Sequence, residues 1–212
     1  MGYTIEGTFN QVVKRSGKFG GALVVFEGHP ELLVGGFNFN LADLPAAGDV
    51  LPCGTPVYCD EAARTIVPVI TGKVTAVDGT KVTIDDHGFG NIAFKVGATV
   101  AELGDNLATA AENYATIASI DGNEITLSAA VTGLAVGDIL VEVDATTKKV
   151  KAVPNALLPY DVVPAPDAIS VDGDGMIGNS RPVLTRRMPP INDAIKAAVQ
   201  ANGHKIVFSD RK

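Results

Sequence analysis

The chain has 212 residues, 46% of them hydrophobic, enough to bury a core in one large domain or two small ones. A formal net charge of −7 excludes a global basic footprint for nucleic acid. Aromatics are only 6% and Trp is absent, against 23 Gly and 12 Pro, so the core must be Val, Ile, Leu and Ala between many turns, which favours β architecture.

Residues 1–22 carry Lys14, Arg15 and Lys18 ahead of Gly20-Gly21. A short basic segment ending in glycines reads either as an arm that orders on a partner or as a first strand with a solvated charge cluster. The apolar run 22–26 predicts a buried strand, and residues 27–30 a turn. Phe37-Asn38-Phe39-Asn40-Leu41 alternates strictly, the pattern of a half-buried strand. Strands are also expected over 48–51, 55–58 and 64–70.

Two near-copies of one pattern follow, at 74–84 and 117–127. Each sets β-branched residues on both sides of an Asp-Gly pair, Asp78-Gly79 and Asp121-Gly122. Asp-Gly tolerates the positive φ angles of tight turns, so each copy predicts strand, turn, strand. Between them, residues 91–96 read as a strand. Thr99-Val100-Ala101-Glu102 fits a capping box, which predicts a short mid-chain helix or helical turns over about 99–111. Gly137-Asp138-Ile139-Leu140 and residues 150–153 read as strands around a polar turn.

After Val153 prolines space out short apolar pieces. Residues 183–187 predict a strand. Ile191, Ile195 and Val199 then form one helical stripe, with Asn192 as its cap and Asn202-Gly203 as its stop. Residues 205–208 predict a last strand. The fold class is therefore mainly β: a small barrel or sandwich built from hairpins, with a short mid-chain helix and a short C-terminal one. Three parts are expected: 1–40 as an arm or first strands, 41–153 as the β core, and 154–212 as the C-terminal segment.

No catalytic motif is present. His29, His87 and His204 lie far apart, and none has the i+3 or i+4 partner of a helical metal face. Asp85-Asp86-His87 is the densest polar cluster, but adjacent carboxylates on a strand point to opposite faces, and a turn accounts for them. Asp172, Asp174 and Gly175 start like a calcium loop, yet Met176 and Ile177 stand where an oxygen ligand and a glycine are needed. No metal site or cofactor is expected. Cys53 and Cys59 read as free, partly buried thiols of a reducing compartment, or as a pair brought together by a turn at 54–56, since on one strand they would stand too far apart to bond. Arg186-Arg187, beside the stiff Pro189-Pro190, could bind acidic residues of a partner or be a solvated strand end. The start of the chain lacks a basic region followed by an apolar run, and no stretch reaches the roughly 18 apolar residues of a membrane span. Synthesis and solubility in a cytoplasm, with no membrane partner, are the expectation.

From about Leu41 onward the layout resembles the head decoration and head-fibre proteins of tailed bacteriophages. The resembling pieces are residues 47–57, the Val74-Thr75-Ala76-Val77-Asp78-Gly79 hairpin, residues 137–140 with 150–155, and an ending of 186–189, 194–198 and 206–208. The resemblance implies a virion structural protein, not an enzyme, that binds the outside of a phage head as a homo-oligomer, a trimer being favoured. Its partners would be the major capsid protein and itself, without nucleic acid. The capsid contact is expected from the N-terminal arm, with Lys14, Arg15 and Lys18, or from the C-terminal segment, with Arg186 and Arg187. The alternative is a surface- or carbohydrate-binding adhesin module, for which Phe37, Phe39, Tyr58, Phe89 and Tyr114 are the aromatic candidates. A third reading, a hydrolase on a β scaffold, has Asp85, Asp86 and His87 as its best candidates.

Overall fold

In the computed structural model, which describes residues 25–26, 28–33, 36–88 and 90–210, the chain is mainly β. Four short strands come first: β1 (Pro30–Leu32), β2 (Phe37–Phe39), β3 (Pro56–Asp60) and β4 (Thr65–Pro68). Six more follow: β5 (Thr71–Asp78), β6 (Lys81–Ile84), β7 (Thr99–Glu102), β8 (Tyr114–Asp121), β9 (Glu124–Leu127) and β10 (Ile139–Val143). The chain then adds β11 (Ala156–Leu157), β12 (Val171–Gly173), β13 (Met176–Asn179), β14 (Val183–Leu184), helix α1 (Asp193–Gln200) and β15 (Phe208–Ser209).

The two Asp-Gly pairs are hairpin turns. Gly79 and Gly122 take φ of 61° and 57°, where a side chain would be strained. The hairpins β5–β6 and β8–β9 join through β6 and β9, and β10 closes the ring by pairing with both β5 and β7. The resulting barrel runs β10-β5-β6-β9-β8-β7 and leaves no free strand edge. Its order is symmetric about the β6–β9 contact, where Val82 faces Ile125. The bulges match as well, one between Val74 and Ala76 and one between Ile117 and Ser119.

The remaining long sheet, β1-β13-β11-β3-β4-β2-β12, combines strands from before and after the barrel. Only Asp174 and Gly175 separate β12 from β13, although these strands lie near opposite ends of that order. The sheet must therefore curl until its ends meet. Two glycines permit the bend. A Cβ on Gly173 would lie 2.3 Å from the Phe39 ring, and one on Gly175 would lie 2.5 Å from Cys59 Sγ. Asp174 accepts a hydrogen bond from the Tyr160 hydroxyl at 3.0 Å, so this Asp-Gly-Asp-Gly stretch is a packed bend.

One apolar cluster runs continuously through barrel and curled sheet, from Val82, Ile117, Ile125 and Leu140 to Phe37, Ile66 and Leu158. A second cluster packs Ile195 and Val199 of α1, with Met188, on Val141, Val143 and Leu157. Asn192 caps α1 as its chemistry predicts, its Oδ1 accepting from the Ile195 amide at 3.0 Å.

Several local expectations change. Thr99–Glu102 is strand β7, followed by turns, in place of a helix start. Thr99 is 6% exposed and its backbone pairs with β8 and β10, so barrel closure outweighs a local cap. Helical turns lie instead at Leu41–Asp43 and in the C-terminal segment. Residues 91–96 form no strand; irregular backbone there buries Ile92 and Phe94. Val25 is buried without belonging to a strand, and residues 22–24 lie outside the described residues.

A carboxylate is buried in the barrel wall. Glu142, 3% exposed, shares its face of β10 with Leu140. It pairs with Lys151 at 2.8 Å, and Lys151 also pairs with Asp43 at 2.8 Å. Glu142 Oε2 has no hydrogen-bond partner among the described residues.

Cys53 and Cys59 form no disulfide. Burial, then the charges of Asp174 and Glu61, push the Cys59 thiol up to about 12. The thiolate is the reactive form, so Cys59 should resist iodoacetamide in the native protein at about pH 8, near the ordinary thiol value, and react once guanidinium unfolds the chain. Peptide mass spectrometry checks this. Equal labelling of Cys59 in both states would contradict the packing at Gly175.

Candidate partner-binding cleft

The turn after β6 uses its carboxylates to hold backbone. Asp85 Oδ1 accepts from the His87 amide at 3.0 Å, and Asp86 accepts from the amides of Gly88 (2.9 Å) and Gly90 (3.2 Å). These hydrogen bonds hold His87 at φ 50°, a conformation uncommon for a residue with a side chain. The cluster is thus a turn, as its spacing predicts.

The fold brings this turn to the C-terminal segment. A cleft of about 410 Å³ opens between them, with Lys73, Asp85, His87 and Ile139 on the barrel side. Arg186, Met188, Ile191, Lys196 and Asp210 line the other side. The Thr71 hydroxyl donates to the Pro190 carbonyl at 2.8 Å, which ties the proline segment to β5. Asn192 Nδ2 donates to the Gly104 carbonyl at 2.9 Å and fixes the start of α1.

The charges in the cleft are unequally compensated. Asp210 accepts from the Thr185 hydroxyl at 2.6 Å and pairs with Lys196 at 3.3 Å, and these contacts hold its carboxyl below the ordinary range. Lys196 also pairs with Asp193 at 3.3 Å, one turn back on α1. Lys73 and Arg186 are exposed, and neither has an ion pair or side-chain hydrogen bond among the described residues. The cleft thus offers two available cations over the apolar side chains of Ile139, Met188 and Ile191.

The sequence-derived candidates separate here. Lys14, Arg15 and Lys18 lie outside the described residues. Arg186 and Arg187 sit in a 3-10 turn, Thr185–Arg187, and not on a strand, because β14 ends at Leu184 and Met188 turns inward to be buried. Arg186 lines the cleft, whereas Arg187 is half-buried outside its lining. Of the aromatic candidates, Phe37 and Phe39 are core, Tyr58 and Tyr114 are 38% and 44% exposed, and Phe89 lies outside the described residues. Tyr114 carries the Lys148 ammonium over its ring, 4.3 Å from the centroid.

Lys73 and Lys196 were not singled out from the sequence. Lys73 is an ordinary outward strand position, and only the tertiary fold sets it opposite Arg186. Among the described residues, no group of three or more His, Cys, Asp or Glu could hold a metal ion. Comparisons with protein-family models, curated proteins and solved structures find no match.

Proposed function

We propose that this chain is a virion structural protein, a capsid decoration or head-fibre protein that binds the outside of a phage head as a homo-oligomer. One observation carries the reading: the segments that resemble such proteins build a single continuous frame. Residues 47–57 lead into β3, the Val74 hairpin and residues 137–140 supply β5 and part of β10 to the barrel, and 186–189, 194–198 and 206–208 pack onto it. A closed barrel braced by a curled sheet and a docked helix is a rigid scaffold. It suits a protein whose task is to be held and to hold.

The test is direct. Purified protein is expected to elute above its 21.9 kDa monomer mass by light scattering and to co-sediment with empty capsids. A strict monomer that leaves capsids bare overturns the reading.

A further inference from the structure

We propose that the cleft between β5 and the C-terminal segment is a receptor for an acidic peptide segment of a protein partner, with Lys73 and Arg186 binding its carboxylates. This rests on the reading that the chain docks on a protein. The argument begins with charge. Five charged side chains line the cleft, three cations (Lys73, Arg186, Lys196) against two carboxylates (Asp85, Asp210), so the lining is net positive in a chain whose net charge is −7. Lys196 pairs with Asp210, and Asp85 keeps its charge while its Oδ1 accepts from the His87 amide; among the described residues the Lys73 ammonium and the Arg186 guanidinium, on opposite walls, have no ion pair. An Arg–carboxylate pair is among the stronger charge-assisted contacts, and a lysine adds a point charge beside it.

The apolar residues decide the class of ligand. Ile139 and Ile191 are half-buried and Met188 is buried, so the cleft carries an aliphatic surface beneath its cations. A small oxyanion would neutralise the charges and leave that surface wet. A peptide with acidic residues flanked by aliphatic ones covers both, and burial of the aliphatic groups adds a driving force that an ion lacks. The walls are also braced. The Thr185–Asp210–Lys196 contacts hold the turn that presents Arg186, and the Thr71–Pro190 hydrogen bond ties that segment to β5, the strand that carries Lys73. A braced receptor loses little freedom on binding.

The experiment uses the full chain and a fluorescein-labelled peptide of alternating Glu and Leu, with its Gln/Leu counterpart as the uncharged probe. The variants are K73Q/R186Q and, as a control elsewhere on the barrel, K81Q. All three positions are exposed, and circular dichroism verifies that each variant is folded. The wild type is expected to prefer the Glu/Leu probe. K73Q/R186Q should lose at least about tenfold in affinity, K81Q should match the wild type, and added salt should weaken binding. Equal binding by wild type and K73Q/R186Q, or no binding, overturns the proposal. So does displacement by inorganic phosphate without preference between the probes, which marks a small-oxyanion site. Capsid co-sedimentation separates the two ideas. Probe binding without capsid binding sinks the decoration reading and leaves the cleft standing. Capsid binding by both proteins, with equal probe binding by wild type and K73Q/R186Q, does the reverse.

Discussion

Replacing Lys151 with methionine is expected to destabilise the protein by about 3–5 kcal/mol, the range for breaking a buried ion pair from one side. The substitution roughly keeps volume and removes the charge, so the Glu142 carboxylate, 3% exposed, loses its cation at 2.8 Å and keeps only the more distant charge of Lys95. For a chain of this size, each kcal/mol corresponds to roughly 2–4 °C, so Tm should fall by about 6–20 °C. The double variant E142L/K151M is expected to be more stable than K151M alone, because it removes the stranded charge as well. A calorimetric series of the wild type, both single variants and the double variant checks this; a K151M loss under about 1 kcal/mol contradicts it.

The same pair has a pH signature. Burial pulls the Lys151 ammonium down, but hydrogen bonds to Asp43 and Glu142, and their charges, outweigh it, so the net shift is upward. A lysine raised in the folded state contributes its stability in full below its unfolded value and loses it as pH rises through the folded one. The gap between wild type and K151M should therefore hold through neutral pH and narrow only above the ordinary lysine value of 10.5.

Ile125→Ala is expected to cost about 2–5 kcal/mol, the range for truncating a fully buried branched side chain. Ile125 has no exposed surface and faces Val82 at the centre of the β6–β9 contact that joins the two hairpins. A cavity there is lined by both halves of the barrel, so neither can relax without opening the other. Val77→Ala is the control: its side chain is 37% exposed at a hairpin tip, and its cost should stay near or below about 1 kcal/mol. Urea titrations at constant m-value measure both. Equal costs would mean that the contact between hairpins does not hold the barrel together.

What the sequence reveals, and what it hides, follows the range of the interactions. Asp-Gly turns, the Phe37–Phe39 alternation and the Asn192 cap are local, and each is seen in the structure at its expected place. Barrel closure is not local. Nothing near Ile139 says that it pairs with Lys73, or that Leu140 pairs with Glu102. The same distance hides Glu142. In Leu140-Val141-Glu142-Val143 it reads as a solvent-facing position, and only Lys151 and Asp43, brought in by the fold, allow it to be buried. The capping box at Thr99 misleads for the converse reason: the local signal is sound, but strands on either side claim the segment. Of the cleft, Arg186, Asp85 and His87 stand out in the sequence; Lys73 and Lys196 do not, because three stretches far apart in sequence assemble it.

The strand that seals the barrel, β10, is the last of its six in chain order, yet it pairs with both β5 and β7. On the ribosome, both hairpins therefore emerge before anything can cover the margins of the unfinished ring. Until residue 143 clears the exit tunnel, those margins offer unpaired amides and carbonyls to any neighbouring nascent chain. Crowded polysomes are thus the setting in which this protein is most exposed to misassembly, and slow translation between β9 and β10 lengthens that window.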